Sequence, residues 1–196
     1  MKALVLIGLG LACACSLALA QERPKTPAGG RTPPTDVNAN LPFTRLRVSG
    51  HVSVGESAPD FALTSSTGRE VVLSRLRGDW VLLCFAAGRA EFAGLDSMAA
   101  DLVEMGVRMI GICKDKPQTL RPFVQREGIP FEILADMTGE VSEIYGLYDS
   151  GTSLAQPGFV VVDRAGIVRL ALQGAAPADQ IVGLTRYTMT GFPARP

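Results

Sequence analysis

The chain has 196 residues, with 19 basic and 19 acidic side chains and a formal net charge of zero. This balance argues against a nucleic-acid partner or an anionic membrane surface, and the length allows one domain with a proper core plus a tail. His51 is the only histidine, so neither a zinc site of the usual Cys/His kind nor a Ser-His-Asp arrangement can be assembled, and we predict no metal and no cofactor.

The first twenty residues have the pattern of a signal peptide. Lys2 precedes an apolar run over residues 3–14, and Ala18-Leu19-Ala20 fits a small-x-small cleavage site. The run is shorter than the roughly 20 residues that a bilayer-spanning helix needs. We therefore expect cleavage after Ala20, a periplasmic or secreted product and no membrane span.

Two of the four cysteines, Cys13 and Cys15, lie in this predicted signal and raise the alternative of a lipidated N-terminus. Gly10 stands three places before Cys13, where a lipoprotein signal usually has Leu or another aliphatic residue, so we do not expect a lipid anchor. The other two cysteines, Cys84 and Cys113, are too few for a disulfide-stapled scaffold.

The composition of residues 21–50 predicts a linker. They contain five prolines and the pair Gly29-Gly30 with few large apolar side chains, which is typical of a semi-extended segment. Residues 51–196 then form one domain, in which short β-rich runs alternate with helical ones.

The first predicted elements of this domain are a hairpin and a buried strand. Residues 61–64 and 70–73 flank the polar turn Ser65-Ser66-Thr67-Gly68, as the two strands of a hairpin do. Trp80–Ala86 is a continuous apolar run, which predicts a strand buried on both faces.

An amphipathic helix is predicted over residues 90–105. Apolar side chains recur there every three or four residues, at Phe92, Leu95, Met98, Ala99, Leu102 and Met105. Gly106 ends the pattern. Val107–Cys113 is the next predicted strand.

Pro117 and Pro122 decide the prediction for the following helix. A proline deep inside a helix costs about 3 kcal/mol. Pro122 avoids that cost if Thr119 is the N-cap, because Pro122 then lies in the first turn. We therefore predict a helix over residues 120–127, closed by Gly128.

The rest of the chain continues the alternation of strands and helices. We predict a strand at 131–134, a helix from Thr138-Gly139 to Ile144, strands at 159–163 and 167–172 joined by a tight turn, and a last helix at 178–187. This order predicts an α/β fold with a mixed sheet and helices on both faces.

The order of elements resembles the thioredoxin superfamily, and the segments at its joints resemble the redoxin branch. That branch includes peroxiredoxins of the alkyl hydroperoxide reductase/thiol-specific antioxidant type and exported thioredoxin-like disulfide reductases. The matching segments are GESAPDFALTSSTG at 55–68, LSRLRGDWVLLCF at 73–85, GICKDKPQTLRPFVQREGIPFEILAD at 111–136, GEVSEIYGL at 139–147 and FVVVDRAGIV at 159–168. The resemblance implies a thioredoxin-like α/β fold, with a central mixed sheet flanked by helices and an N-terminal β-hairpin extension.

The resemblance also points to a loop in which the usual site residues are replaced. Peroxiredoxins follow the strand with a P-x-x-x-T-x-x-C loop, and alignment on Phe85 puts Ala86, Ala90 and Ala93 at the proline, threonine and cysteine positions. The reductases place W-C-x-x-C at a helix N-terminus. Residues 89–95 resemble the sequence that follows their motif, with the cysteines deleted. Both alignments imply that this loop lacks its reactive cysteine.

Pro157 precedes the strand predicted at 159–163, where thioredoxin-like proteins carry a cis-proline that faces the active site. X-Pro bonds in general favour the trans form, but the resemblance makes Pro157 the expected cis-proline. Peroxiredoxins also place an arginine near this point to help stabilise the thiolate, and residues 155–158 contain none.

Cys113 is the remaining candidate nucleophile. It ends a predicted central strand, where open α/β sheets usually bind ligands, and Lys114 and Lys116 are near enough in sequence to lower its pKa. The alternative is a small core side chain, since free cysteine is commonly buried. Cys84, inside a strand packed on both faces, is interpreted as structural, and we do not expect a Cys84–Cys113 disulfide.

The other polar residues near the loop have simpler interpretations. Arg89, Glu91 and Asp96 are interpreted as a solvated helix face. Tyr145 and Tyr148 are interpreted as packing residues.

Two functional hypotheses follow from these observations. The first is an exported redoxin-like domain that lacks thiol peroxidase and reductase activity and either binds an unknown protein partner or small ligand or has a structural role. The second is an antioxidant thiol oxidoreductase, peroxiredoxin-like, that acts through Cys113 and a partner thiol.

Overall fold

The computed structural model of the chain describes the backbone of residues 47–48 and residues 52–191. The predicted signal peptide, most of the predicted linker and His51 lie outside the described residues. Within them, no helix combines the length and the apolar character that crossing a membrane requires.

An eight-stranded sheet forms the centre of the described part of the chain. Its strands are β1 (Arg47–Val48), β2 (Ala62–Ser65), β3 (Glu70–Val72), β4 (Trp80–Ala86), β5 (Val107–Cys113), β6 (Glu132–Ala135), β9 (Gly158–Val162) and β10 (Val168–Gln173). Their order across the sheet is β1-β10-β9-β4-β5-β6-β2-β3. A separate two-stranded ribbon, which the sequence did not predict, consists of β7 (Tyr148–Asp149) and β8 (Leu154–Ala155).

The sheet is mixed, which confirms the predicted fold class. Strands β4, β5 and β6 run parallel, and the other neighbouring pairs are antiparallel. The predicted hairpin, β2 and β3, extends the sheet beside β6, with Thr64 opposite Ala135. At the other edge β1 pairs with β10, so residues 47–48 of the predicted linker instead add a strand, because the edge of β10 offers free backbone groups.

The helices pack on both faces of this sheet. They are α1 (Asp96–Glu104), α2 (Pro117–Glu127), α3 (Glu140–Ile144) and α4 (Ala178–Thr190). Alternate residues of β4 face opposite sides of the sheet. The even-numbered residues from 82 to 86 pack in one core with α1, α2 and α4, and the odd-numbered residues from 81 to 85 pack in a second core beside α3. This burial on both faces confirms the prediction for β4.

The prediction of one continuous helix over residues 90–105 is wrong for its first part. A short 3₁₀ helix, Arg89–Phe92, comes first, and α1 begins only at Asp96. Gly94 lies between them with φ of 82°, a left-handed conformation that favours glycine and interrupts a helix. The Phe92 ring packs closely over Gly111 of β5, so the apolar spacing at Phe92 arises from tertiary packing rather than from a continuous helical face.

The start predicted for the next helix is also wrong. Helix α2 begins at Pro117 with Lys116 as its N-cap, and the Thr119 hydroxyl donates to the Lys116 carbonyl at 2.8 Å. Pro117 is tolerated as the first helical residue because its missing N–H would have had no partner there. Pro122 therefore lies inside the helix. The predicted end is confirmed, since Gly128 closes the helix in the left-handed conformation with φ of 65°.

The remaining predicted elements are confirmed within a few residues. Strand β6 is shifted by one residue from the predicted 131–134, and α3 ends at the predicted Ile144. Strands β9 and β10 form the predicted terminal hairpin, and α4 continues to Thr190.

Candidate functional site

The loop that follows β4 is the part of the fold where the sequence placed the degenerate site. Ala86 is the last residue of β4 and is buried, whereas Ala90 lies exposed in the 3₁₀ helix and Ala93 lies exposed after it. The three alanines therefore do not converge on one pocket. No cysteine occurs between Phe85 and Cys113 in the sequence.

An ion pair holds this loop against the end of β5. The Arg89 backbone N–H donates to Asp115 Oδ2 at 2.8 Å, and the Arg89 guanidinium pairs with Asp115 Oδ1. The Ala87 N–H donates to Glu91 Oε1 at 3.0 Å. Arg89, Glu91 and Asp96 were interpreted as a solvated helix face. Glu91 and Asp96 are exposed, as that interpretation requires, whereas Arg89 is partly buried and pairs with Asp115.

Cys113 lies directly beneath this ion pair. It has no exposed surface, and its thiol contacts Asp115 Oδ2 at 3.7 Å. Burial raises the pKa of the Cys113 thiol to about 12. The Asp115 backbone N–H opposes this rise, the negative charge of Asp115 adds to it, and Arg89 opposes it least. The thiolate, which is the nucleophilic form, is therefore disfavoured at neutral pH.

Lys114 does not act on Cys113 as the sequence suggested. Its Nζ donates to the Tyr148 hydroxyl at 3.0 Å and to the Ser153 carbonyl at 3.0 Å. Lys114 thus anchors the β7–β8 ribbon. Tyr148, interpreted as a packing residue, has this polar contact in addition.

Cys84 has the structural position that the sequence predicted. It is buried in the core of β4, and burial raises the pKa of its thiol far above the ordinary value. Both described cysteines are free, which confirms that they form no disulfide. In the parallel register Cys84 lies opposite Gly111 and Ala86 lies opposite Cys113, so the two thiols are two positions apart along the strands.

The expectation of a cis-proline at Pro157 is wrong, because the described residues contain no cis peptide bond. The backbone on either side is already satisfied with the bond trans: the Gln156 N–H donates to the Leu147 carbonyl at 2.7 Å, and the Pro157 carbonyl accepts from the Gly174 N–H at 2.8 Å. Nothing then offsets the intrinsic preference of an X-Pro bond for trans.

An open groove of about 570 Å³ lies above these residues, at the C-terminal ends of β4 and β5. Its lining includes Arg89, Lys114, Asp115, Phe123 and Arg126. Asp115, Phe123 and Arg126 were not among the predicted site residues. Asp115 had a positional signal, since residues just after two neighbouring parallel strands meet at the same sheet edge, whereas Phe123 and Arg126 lie in α2 and had no such signal.

The same fold is found in known proteins. A model of the AhpC/TSA family matches residues 54–171, well over half of the chain. The chain belongs to the AhpC/TSA family. This confirms the resemblance to the peroxiredoxin type of redoxin that the sequence segments carried.

Curated relatives of this AhpC/TSA domain include peroxiredoxins from an archaeon and a bacterium. The chain is 33% identical over 130 residues to a peroxiredoxin of Thermoplasma volcanium, and this alignment covers 60% of this chain and 64% of the relative. It is 30% identical over 134 residues to the selenocysteine-containing peroxiredoxin PrxU of Peptoclostridium acidaminophilum, and this alignment covers 60% of this chain and 66% of the relative. The chain therefore spans less than two thirds of the length of these relatives.

Solved structures support the fold of the AhpC/TSA domain. Peroxidoxin BcpB from Mycobacterium tuberculosis superposes with a TM-score of 0.61 at 23% identity, over 69% of this chain and 97% of that one. AhpC from Enterococcus faecalis superposes with a TM-score of 0.64 at 15% identity, over 71% of this chain and 93% of that one. At such identities the likeness concerns the fold alone.

Cys113 is expected to resist alkylation in the folded AhpC/TSA domain. At pH 8 its raised pKa and lack of exposed surface should slow labelling by iodoacetamide on the order of a hundredfold or more relative to the urea-unfolded chain. Mass spectrometry of the peptide that contains Cys113 measures the rate. An Ala93→Cys variant is the control, because position 93 is exposed and should be labelled as a free thiol is. Equal rates for Cys113 and the new Cys would contradict the burial of Cys113.

Proposed function

We propose that this AhpC/TSA domain is exported and has a binding role without thiol peroxidase or disulfide reductase activity. The observation that carries the proposal is the state of Cys113. It is fully buried beneath the Arg89–Asp115 pair, with a thiol pKa of about 12. A peroxide cannot reach this sulfur without opening of the loop, and the protonated thiol is a poor nucleophile.

The loop supports the same proposal from another direction. On the peroxiredoxin alignment Ala93 stands where the family has its reactive cysteine, and this position lies exposed on the surface rather than under a shielding pocket. Ala90 replaces the hydrogen-bonding threonine of that motif, and its methyl group cannot donate to a thiolate. Loss of one group would leave the rest of the motif, whereas here alanines stand at all three motif positions and the Arg89–Asp115 pair holds the loop.

The experiment is a peroxide-consumption assay on the purified chain. Hydrogen peroxide and cumene hydroperoxide are each incubated with the chain and excess dithiothreitol, beside the Cys113→Ser and Cys84→Ser variants. We expect all three proteins to consume peroxide no faster than buffer with reductant. Export is checked separately by N-terminal sequencing of the chain recovered from a bacterial periplasm, which should begin at Gln21.

Rapid peroxide loss that disappears in Cys113→Ser would contradict the proposal. It would establish the alternative, an antioxidant thiol oxidoreductase that acts through Cys113 and a partner thiol. Rapid loss that disappears only in Cys84→Ser would also contradict it, since that thiol is buried in the core of β4.

A further inference from the structure

The groove above the Arg89–Asp115 pair has an excess of positive charge. Arg89, Lys114 and Arg126 line it together with one carboxylate, Asp115, and a second carboxylate, Glu127, pairs with Arg126 from outside the lining. The chain as a whole has 19 basic and 19 acidic side chains, so this concentration is local. A concave surface with such a balance attracts small anions.

Two of the three cations are held in place. Asp115 accepts from both the backbone and the side chain of Arg89, and the Lys114 ammonium donates to the Tyr148 hydroxyl and the Ser153 carbonyl. Because these side chains are ordered before any ligand arrives, binding costs less conformational entropy.

Arg126 supplies the open donors of the groove. Its Nε donates to Glu127 Oε1 at 2.8 Å, and its two terminal nitrogens have no hydrogen-bond partner in the described part of the chain. Its guanidinium carbon lies 5.6 Å from the centre of the Phe123 ring, and that of Arg89 lies 5.7 Å from the same centre. One aromatic ring thus positions two guanidinium groups at the edge of the same groove.

The size and lining of the groove indicate the class of ligand. A volume of about 570 Å³ is ample for a small organic molecule. Ala87, Ala90 and Phe123 provide an apolar wall that an inorganic ion would leave unused. A guanidinium fork matches the two oxygens of a carboxylate.

We propose that this groove binds a small organic carboxylate, with the carboxylate at Arg126 and the apolar body against Ala87 and Ala90. The inference rests on the proposed function, in which binding at this end of the sheet has replaced thiol chemistry. It gives that function a ligand class.

The test is a titration of the ¹⁵N-labelled chain with benzoate, followed by amide chemical shifts. We expect saturable shifts at Gly88, Arg89 and Asp115. Benzamide, which has the same ring without the charge, should shift none of them. Arg126→Gln should weaken benzoate binding about tenfold, since it removes a charge-assisted contact.

Arg121→Gln is the matched control, because Arg121 is exposed on the same helix and does not line the groove. It should bind benzoate as the unchanged chain does. The proposal is overturned by an absence of saturable shifts, by unchanged affinity in Arg126→Gln, or by inorganic phosphate binding as tightly as benzoate with the same dependence on Arg126.

The peroxide assay keeps this result separate from the proposed function. Saturable shifts without peroxide turnover support both. Shifts together with turnover that depends on Cys113 overturn the proposed function and leave the carboxylate site standing. If the chain shows no saturable shifts and no peroxide turnover, the carboxylate site is overturned and the proposed lack of peroxidase activity stands.

Discussion

Replacing Asp136 with alanine is expected to lower the free energy of unfolding by about 3 kcal/mol. Asp136 follows β6 and is buried, with 1% of its surface exposed. Its carboxylate accepts from the Ser142 N–H and hydroxyl, both at 2.8 Å, and from the Val141 N–H at 3.3 Å. Alanine would leave three buried donors at the start of α3 without their acceptor, and each such loss costs free energy. Urea unfolding followed by circular dichroism measures the change.

Two variants separate this effect from a general effect of mutation near α3. Asp136→Asn keeps one acceptor oxygen and should cost less than Asp136→Ala. Glu143→Ala alters an exposed carboxylate of the same helix and should change stability by no more than about 0.5 kcal/mol. If Asp136→Ala costs no more than Glu143→Ala, the Asp136 carboxylate does not stabilise the start of α3.

Gly158→Val is expected to destabilise the domain by about 3 kcal/mol through overpacking. A Cβ at Gly158 would lie 2.5 Å from Leu147 Cδ2 and 2.8 Å from the Leu172 carbonyl oxygen. Leu147 is fully buried, and the Leu172 carbonyl belongs to β10, which pairs with β9, so neither atom can move away cheaply. The same urea unfolding experiment measures the loss.

Gly183→Ala is the matched glycine substitution. Gly183 lies inside α4, and a Cβ there would meet no atom within 4 Å. Alanine should therefore raise stability by about 0.5–1 kcal/mol, because it removes backbone entropy from the unfolded chain. A Gly158→Val variant as stable as the unchanged chain would show that β9 and Leu147 are not packed as described.

The elements that the sequence predicted best are those with a continuous apolar signal. Trp80–Ala86 and Val107–Cys113 were predicted with their observed bounds, because central strands that are buried on both faces are apolar almost throughout, with the exposed Arg108 as the one charged residue of the two. The helix over 90–105 was predicted only in part. Its first apolar residue, Phe92, is buried through a 3₁₀ turn before Gly94, and a burial pattern alone does not distinguish these two backbones.

The sequence also did not predict the shortest strands. Strand β1 and the β7–β8 ribbon each have two residues per strand, which is too little for a periodic signal. They form because a neighbouring edge or turn supplies their hydrogen-bond partners.

The sequence by itself determined the fold class, the family resemblance and the alanines of the loop after β4. All of these are local properties, carried by residue types at fixed spacing. Only the tertiary structure decided which side chains meet at the site. Arg89 and Asp115 are 26 residues apart, and they meet because β4 and β5 pair in parallel with Ala86 opposite Cys113. The same pairing buries the Cys113 thiol, and burial rather than residue identity sets its pKa.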